Sequence, residues 1–102
     1  MGTMSNAGNH FVSKSITAEN QWTNPIRIGP KGGTLTVWGT FTAGVILQTR
    51  PDGATEWVPT ADDTITIPCH KRLDDATRSE YRAGVPTGGF TLGPVNVMLK
   101  SS

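Results

Sequence analysis

The one adjacent pair with nucleophile-and-base chemistry is Cys69-His70. Cysteine catalysis needs an imidazole within hydrogen-bond reach of the sulfur. Neighbours in an extended chain point to opposite faces, so this pair cannot make that contact directly. A half-buried thiol beside a loop histidine is the expectation, because free cysteine behaves mostly as a small hydrophobe. A zinc centre would need about four closely spaced His, Cys or carboxylate ligands, and only Cys69, His70 and the distant His10 are on offer. Asp62-Asp63 and Asp74-Asp75 lack the oxygen-ligand pattern of a calcium loop; Asp62-Asp63 fits a turn ahead of Thr64 instead. Asp52 lies in a Pro-Asp-Gly turn and Glu56 just beyond it, where nothing suggests the burial that tunes a glycosidase carboxylate. Gly29-Pro-Lys-Gly-Gly33 is rich in glycine and holds a lysine, but it lacks the order of a phosphate loop and no helix follows. With nucleophile, base and metal all wanting, an enzyme is not expected, nor a cofactor or a small-molecule substrate.

Charge narrows the partners further. The net charge is +1 and only 17% of residues are charged, so no basic stripe is available to displace counterions from a nucleic acid. Lys71-Arg72 is followed at once by Asp74-Asp75, as in a solvated loop. One cysteine rules out an intrachain disulfide, which leaves packing, or packing plus oligomerisation, to hold the fold. The first residues have no basic region leading into an apolar core, so no signal peptide is expected. Met1-Gly2 is not followed by the Ser or Thr at position 6 that myristoylation requires, since Asn6 stands there. The apolar run Ala43–Leu47 is too short to span a bilayer. Synthesis in a cytoplasm-like compartment follows.

The elements that must position any site are strands. The 102 residues suit one domain; Thr, Val and Ile abound, and these branched side chains fit a pleated surface. Gly 12 and Pro 7 supply turns. Residues 1–10 are small and polar without periodicity and read as an extended N-terminal arm, with the folded domain over 11–102. Phe11–Ile16 reads as a short edge strand and Asn20–Pro25 as a turn. Ile26 and Ile28 alternate with Arg27. Thr34–Thr42 is the clearest strand, with Leu35, Val37, Gly39 and Phe41 on one face and Thr34, Thr36, Trp38, Thr40 and Thr42 on the other. Mid-strand Gly39 signals a bulge or a close backbone approach. Val45–Thr49 and Thr55–Val58 form a hairpin about Arg50-Pro51-Asp52-Gly53-Ala54, with Pro59 ending the return or placing it at an edge. Asp63–Pro68 alternates as a further strand. Residues 69–80 are the most polar stretch and hold the one plausible helical turn, with Leu73 and Ala76 three apart. Tyr81–Val85 is extended, 86–89 a turn, and Leu92–Leu99 closes the chain with Val95, Val97 and Leu99 on one face. About seven short strands at this spacing predict an all-β chain folded as a single β-sandwich, with a jelly roll as the arrangement to look for.

The tryptophans are the remaining candidates. Trp38 sits on the Thr-rich face, where it is either exposed for a partner or covered as core; the burial usual for tryptophan favours core. Trp22, in a turn-rich segment, suits an interface anchor.

The hairpin Leu47-Gln-Thr-Arg-Pro-Asp-Gly-Ala-Thr-Glu-Trp-Val-Pro59 resembles a recurrent pattern of small tailed-bacteriophage structural proteins, in which a strand reads Leu-Gln-x-Ser-Pro-Asp-Gly and returns as Thr-x-Trp-Val. Gly39-Thr-Phe41 and Tyr81-Arg-Ala-Gly-Val-Pro-Thr-Gly88 look like its flanking pieces, so the resemblance covers about residues 33–99. The chain departs in carrying Arg50 where serine is usual and in its charged 69–80 segment. Such proteins are often head decoration, or cement, proteins: β-sandwich trimers that staple neighbouring major capsid subunits. The resemblance implies a virion component on the outer capsid surface, made in the host cytoplasm, with the major capsid protein and two further copies as partners and no catalytic residue. The arm around Asn6–Lys14 would then lie along the capsid or a neighbour, and His10, Phe11, Lys14 and Trp22 are the expected contact residues. The alternative is a tail or fibre module binding a host-surface glycan, which predicts Trp38 or Trp57 exposed beside polar side chains.

Overall fold

The computed structural model describes residues 11–51, 53–60, 62–75 and 77–101; the arm expected over residues 1–10 lies outside them. Among the described residues eleven strands alternate with turns: β1 (Phe11–Ile16), β2 (Gln21–Trp22), β3 (Ile26–Ile28), β4 (Gly33–Trp38), β5 (Thr42–Ala43), β6 (Ile46–Pro51), β7 (Val58–Pro59), β8 (Cys69–Leu73), β9 (Ser79–Val85), β10 (Phe90–Leu92) and β11 (Val95–Ser101). No helix occurs among the described residues.

Two antiparallel sheets face each other. One runs β1-β11-β4-β8; the other runs β9-β6-β7, with β2 and β3 both lying along the free side of β9. The pairing is that of one long ribbon folded on itself. β1 pairs with β11, β2 and β3 with β9, β4 with β8, and β6 with β7. The apex of the ribbon is the hairpin between β6 and β7. Rolling the ribbon up adds the cross-pairs β11 with β4 and β9 with β6. Successive strands therefore switch sheets at nearly every connection, which is the jelly-roll arrangement expected of the sandwich. The short β5–β10 pair stands apart from both sheets.

Period-2 alternation fills the space between the sheets. Leu35 and Val37 of β4 and Val95, Val97 and Leu99 of β11 face inward from one sheet; Leu47 of β6 and Tyr81, Ala83 and Val85 of β9 face them from the other, with Ile16, Ile26 and Ile28 closing the sides. Thr23 is the one buried polar residue described, and its Oγ1 accepts the Ala83 N–H at 3.1 Å. Among the described residues every buried side-chain nitrogen or oxygen has a hydrogen-bond partner, as a stable interior requires.

The structure corrects the sequence reading in several places. Thr34–Thr42 is not one strand: β4 ends at Trp38 because Gly39 has φ +117° and turns the chain toward β5. A side chain at Gly39 would also meet the Pro94 carbonyl and Asn96, so the close approach expected there is present. Asp63–Pro68 makes only an isolated bridge, Val45 with Ile65, and Ile67 is 69% exposed. Cys69–Leu73, read as part of a charged loop with a helical turn, is the edge strand β8; Ala76 lies outside the described residues. The hairpin is present, with Ala54 N–H donating to the Pro51 carbonyl and Gly53 at φ +85°, but its return strand is only Val58–Pro59.

Candidate functional site

A cluster of arginine and tryptophan side chains lies on the outer face of the sheet that contains β9. Antiparallel register sets three cross-strand rows. Trp22 of β2, Gly84 of β9 and Ile46 of β6 form the first, Arg82 and Gln48 the second, and Arg27, Glu80 and Arg50 the third. Directly opposed side chains on one face are close enough to pair. Arg82 Nε–H donates to Gln48 Oε1 at 2.8 Å, and Arg50 Nε–H donates to Glu80 Oε1 at 2.6 Å.

Aromatic rings tie the rows together. The Arg82 guanidinium lies 4.4 Å from the centre of the Trp22 ring and 4.7 Å from that of Trp57, and Arg50 lies 4.4 Å from Trp57. Such contacts are worth about 0.5–1 kcal/mol each at partly exposed sites, so together they rival a hydrogen bond without dominating stability. Trp22 can approach because β9 offers glycine opposite it: a Cβ on Gly84 would sit 2.7 Å from Trp22 Cε3. Partial burial, helped by the nearby Arg50 charge, lowers the pKa of Arg82. Arg50 and Arg82 are half-buried, as are Trp22 and Trp57, while Arg27 is exposed.

The outer face of the other sheet is chemically milder. Thr36 Oγ1 and His70 Nδ1 lie 2.7 Å apart across β4 and β8. Trp38 ends β4 beside Asn96 of β11 and is 41% exposed, so it is surface and not core. Cys69 packs against the core from the same strand whose His70 faces outward, and the two point apart as strand geometry dictates.

A third feature lies at the sandwich edge where β7 and β8 leave a hollow of about 220 Å³ beside Leu47, Asp74 and Tyr81. Tyr81 O–H donates to Asp75 Oδ2 at 2.7 Å, and Asp75 Oδ1 accepts the Thr77 N–H at 2.9 Å. Burial alone would raise the Asp75 pKa, yet hydrogen bonds from Tyr81, Thr77 and Ser79 outweigh it and the pKa is lowered. Burial first, and the Asp75 carboxylate second, push the Tyr81 phenol up to about 12. Because the folded pKa lies above the ordinary value of 10.0, the stabilisation is intact below pH 10 and is lost as pH rises toward 12. The chain has one tyrosine, so tyrosinate absorbance reports this group alone. Asp75→Asn is expected to lower the titration midpoint while leaving it above the ordinary value, since burial remains; an unchanged midpoint would show that the carboxylate does not act on the phenol.

The expected contact residues are not brought to one place. His10 lies outside the described residues. Phe11 opens β1 on its outer side and is 51% exposed. Lys14 alternates to the opposite side of that edge strand, in register with inward-facing Val97, and is nevertheless exposed; an inward-pointing charge of this kind discourages edge-to-edge pairing. Trp22 is on the other sheet, in the arginine–tryptophan rows. Sequence reasoning missed Arg82 and Arg50 as partners of Trp22 and Trp57, and Glu80 as the partner of Arg50. The available signal was the odd Arg50 within the hairpin.

No protein-family model matches the chain, and none of the curated proteins does. Among solved structures, the cumin domain of CENP-C from Drosophila melanogaster is similar over 91% of this chain and 65% of that chain, with 13% identity and a TM-score of 0.30. A likeness that loose carries no argument. Fold and site define a jelly-roll sandwich whose one outer sheet face carries stacked arginine and tryptophan side chains.

Proposed function

We propose that the chain is a virion structural protein of the capsid-decoration class, a homotrimer on the outer capsid surface that staples neighbouring major capsid subunits. The observation that carries the reading is the arginine–tryptophan face: residues of two types that often anchor protein interfaces, held in place by ring contacts and hydrogen bonds. Jelly rolls recur in capsid and lectin domains, which agrees with the reading but does not choose between those roles. The phage-like hairpin is the ribbon apex that delivers Arg50 and Trp57 to this face. Virions assembled without the protein should release DNA at a lower temperature than complete virions. Release at the same temperature would refute the stapling role.

A second reading is supported by Trp38, exposed beside Asn96 and Thr36 on the opposite sheet. It is a tail or fibre module that stacks a host-surface sugar on the indole. A glycan array probed with the wild-type chain and with Trp38→Ala separates the two readings: sugar binding lost in the variant supports this one, and an array without signal removes it.

A further inference from the structure

We propose that the arginine–tryptophan face docks an acidic segment of a protein partner, whose carboxylates bridge the Nη groups of Arg50 and Arg82 between the indoles of Trp22 and Trp57. The inference rests on the decoration reading only for where that partner sits. Four observations lead to it.

Charge is the first. The outward rows of β6 and β9 hold Arg50 and Arg82 against one acid, Glu80. Two guanidinium groups are thus gathered on one face of a chain whose net charge is only +1. The second is donor geometry. Arg50 and Arg82 each spend Nε on a neighbour in the sheet, Glu80 and Gln48. Their Nη groups make no hydrogen bond to any described residue, and a guanidinium in that state presents donors suited to a carboxylate.

Preorganisation is the third. Arg82 is held by two indole rings and one hydrogen bond, so a partner need not freeze a floppy side chain, which is the usual cost of an arginine contact. The fourth is repulsion: Arg50 lies near enough to disfavour the Arg82 charge, and an incoming carboxylate would relieve that strain. A nucleic acid fits less well, because duplex binding draws on many phosphate contacts along a basic stripe and these rows hold two arginines.

The test uses the full chain and follows its three indole N–H signals by NMR. The probes are a synthetic peptide of alternating glutamate and serine, the matching lysine–serine peptide, and a single-stranded oligothymidylate. The glutamate peptide is expected to shift the Trp22 and Trp57 signals saturably and leave Trp38, on the other sheet, in place. Arg82→Gln should weaken that binding by about tenfold or more, whereas Arg72→Gln on the other sheet should not. If Arg82→Gln loses the folded spectrum, Arg50→Gln serves in its place with the same expected weakening. The proposal fails if no probe shifts these signals, if the lysine peptide or the oligothymidylate shifts them as well as the glutamate peptide does, or if Arg82→Gln and Arg50→Gln bind normally. It also fails if the Trp22 and Trp57 signals move on simple dilution of the protein, which would make a second copy the occupant. These outcomes are independent of the virion heating result, so loss of the stapling role would leave the carboxylate site standing or falling by itself.

Discussion

Leu35→Ala is expected to cost about 2–5 kcal/mol of folding stability, the range for removing a fully buried leucine side chain. Leu35 has no exposed surface and lies opposite Leu99, also fully buried, across the central β4–β11 pair. β4 is hydrogen-bonded on both sides, to β11 and to the edge strand β8, so its backbone is held and cannot close inward to refill the space. Domains of this size are stable by about 5–15 kcal/mol, so the variant loses a large share. In chemical denaturation the midpoint should fall with the slope unchanged, as for a change in stability alone. Trp38→Ala, on the outward row of the same strand, removes a larger side chain that is already 41% exposed and should cost clearly less. If the tryptophan variant proved the more damaging, the inward and outward assignments of β4 would be reversed.

The same comparison ranks the forces holding the fold. The Arg50–Glu80 pair is about a quarter exposed on both sides, and partly exposed pairs contribute roughly 0.2–1 kcal/mol. Several such contacts on the outer face together barely match one core leucine. The arginine–tryptophan rows are thus poorly explained as a stability device, and this imbalance is what gives their ordering its functional interest.

Alternation made β4 and β11 legible because both are central strands with one wholly apolar row, Leu35 and Val37 or Val95, Val97 and Leu99. β8 was hidden because it is an edge. Its inward row, Cys69, Lys71 and Leu73, includes a lysine that escapes the interior by pairing with Asp62 at 2.5 Å, and its outward row is His70 and Arg72. An apolar–polar count therefore reads it as loop. The opposite error occurred at Asp63–Pro68, where Ile65 and Ile67 alternate well but only Ile65 is paired, through an isolated bridge to Val45. Periodicity reports what a strand would bury, and pairing depends on where the ribbon rolls. The arginine–tryptophan rows were out of reach for that same reason: Trp22, Trp57 and Arg82 are distant in sequence and meet only once β2, β9, β6 and β7 are laid side by side. The jelly-roll sandwich itself was accessible, because it follows from strand number, spacing and the position of the apex hairpin.

Gly84→Ala is expected to destabilise the fold by about 1–3 kcal/mol, the usual cost of overpacking, and to disturb the docking face at the same time. The glycine is the penultimate residue of β9, still inside the strand, where a missing side chain normally weakens it. Here it is required by what sits above it. An added Cβ would fall 2.7 Å from Trp22 Cε3 and 2.8 Å from Trp22 Cα, closer than carbon atoms approach without displacement. The ring alone could swing away, but the Cα belongs to β2, which is fixed to β9 by the Gly84–Trp22 and Val85–Gln21 register. Relief must therefore come from lifting β2 off the sheet, and Trp22 would leave the Arg82 guanidinium as it goes. Two measurements check this: a lowered denaturation midpoint, and an indole N–H signal for Trp22 moved toward the position of a solvated tryptophan while that of Trp38 stays put. A fully stable variant with an unmoved Trp22 signal would mean that β2 is not clamped over Gly84, and the ring that holds Arg82 in place would lose its support.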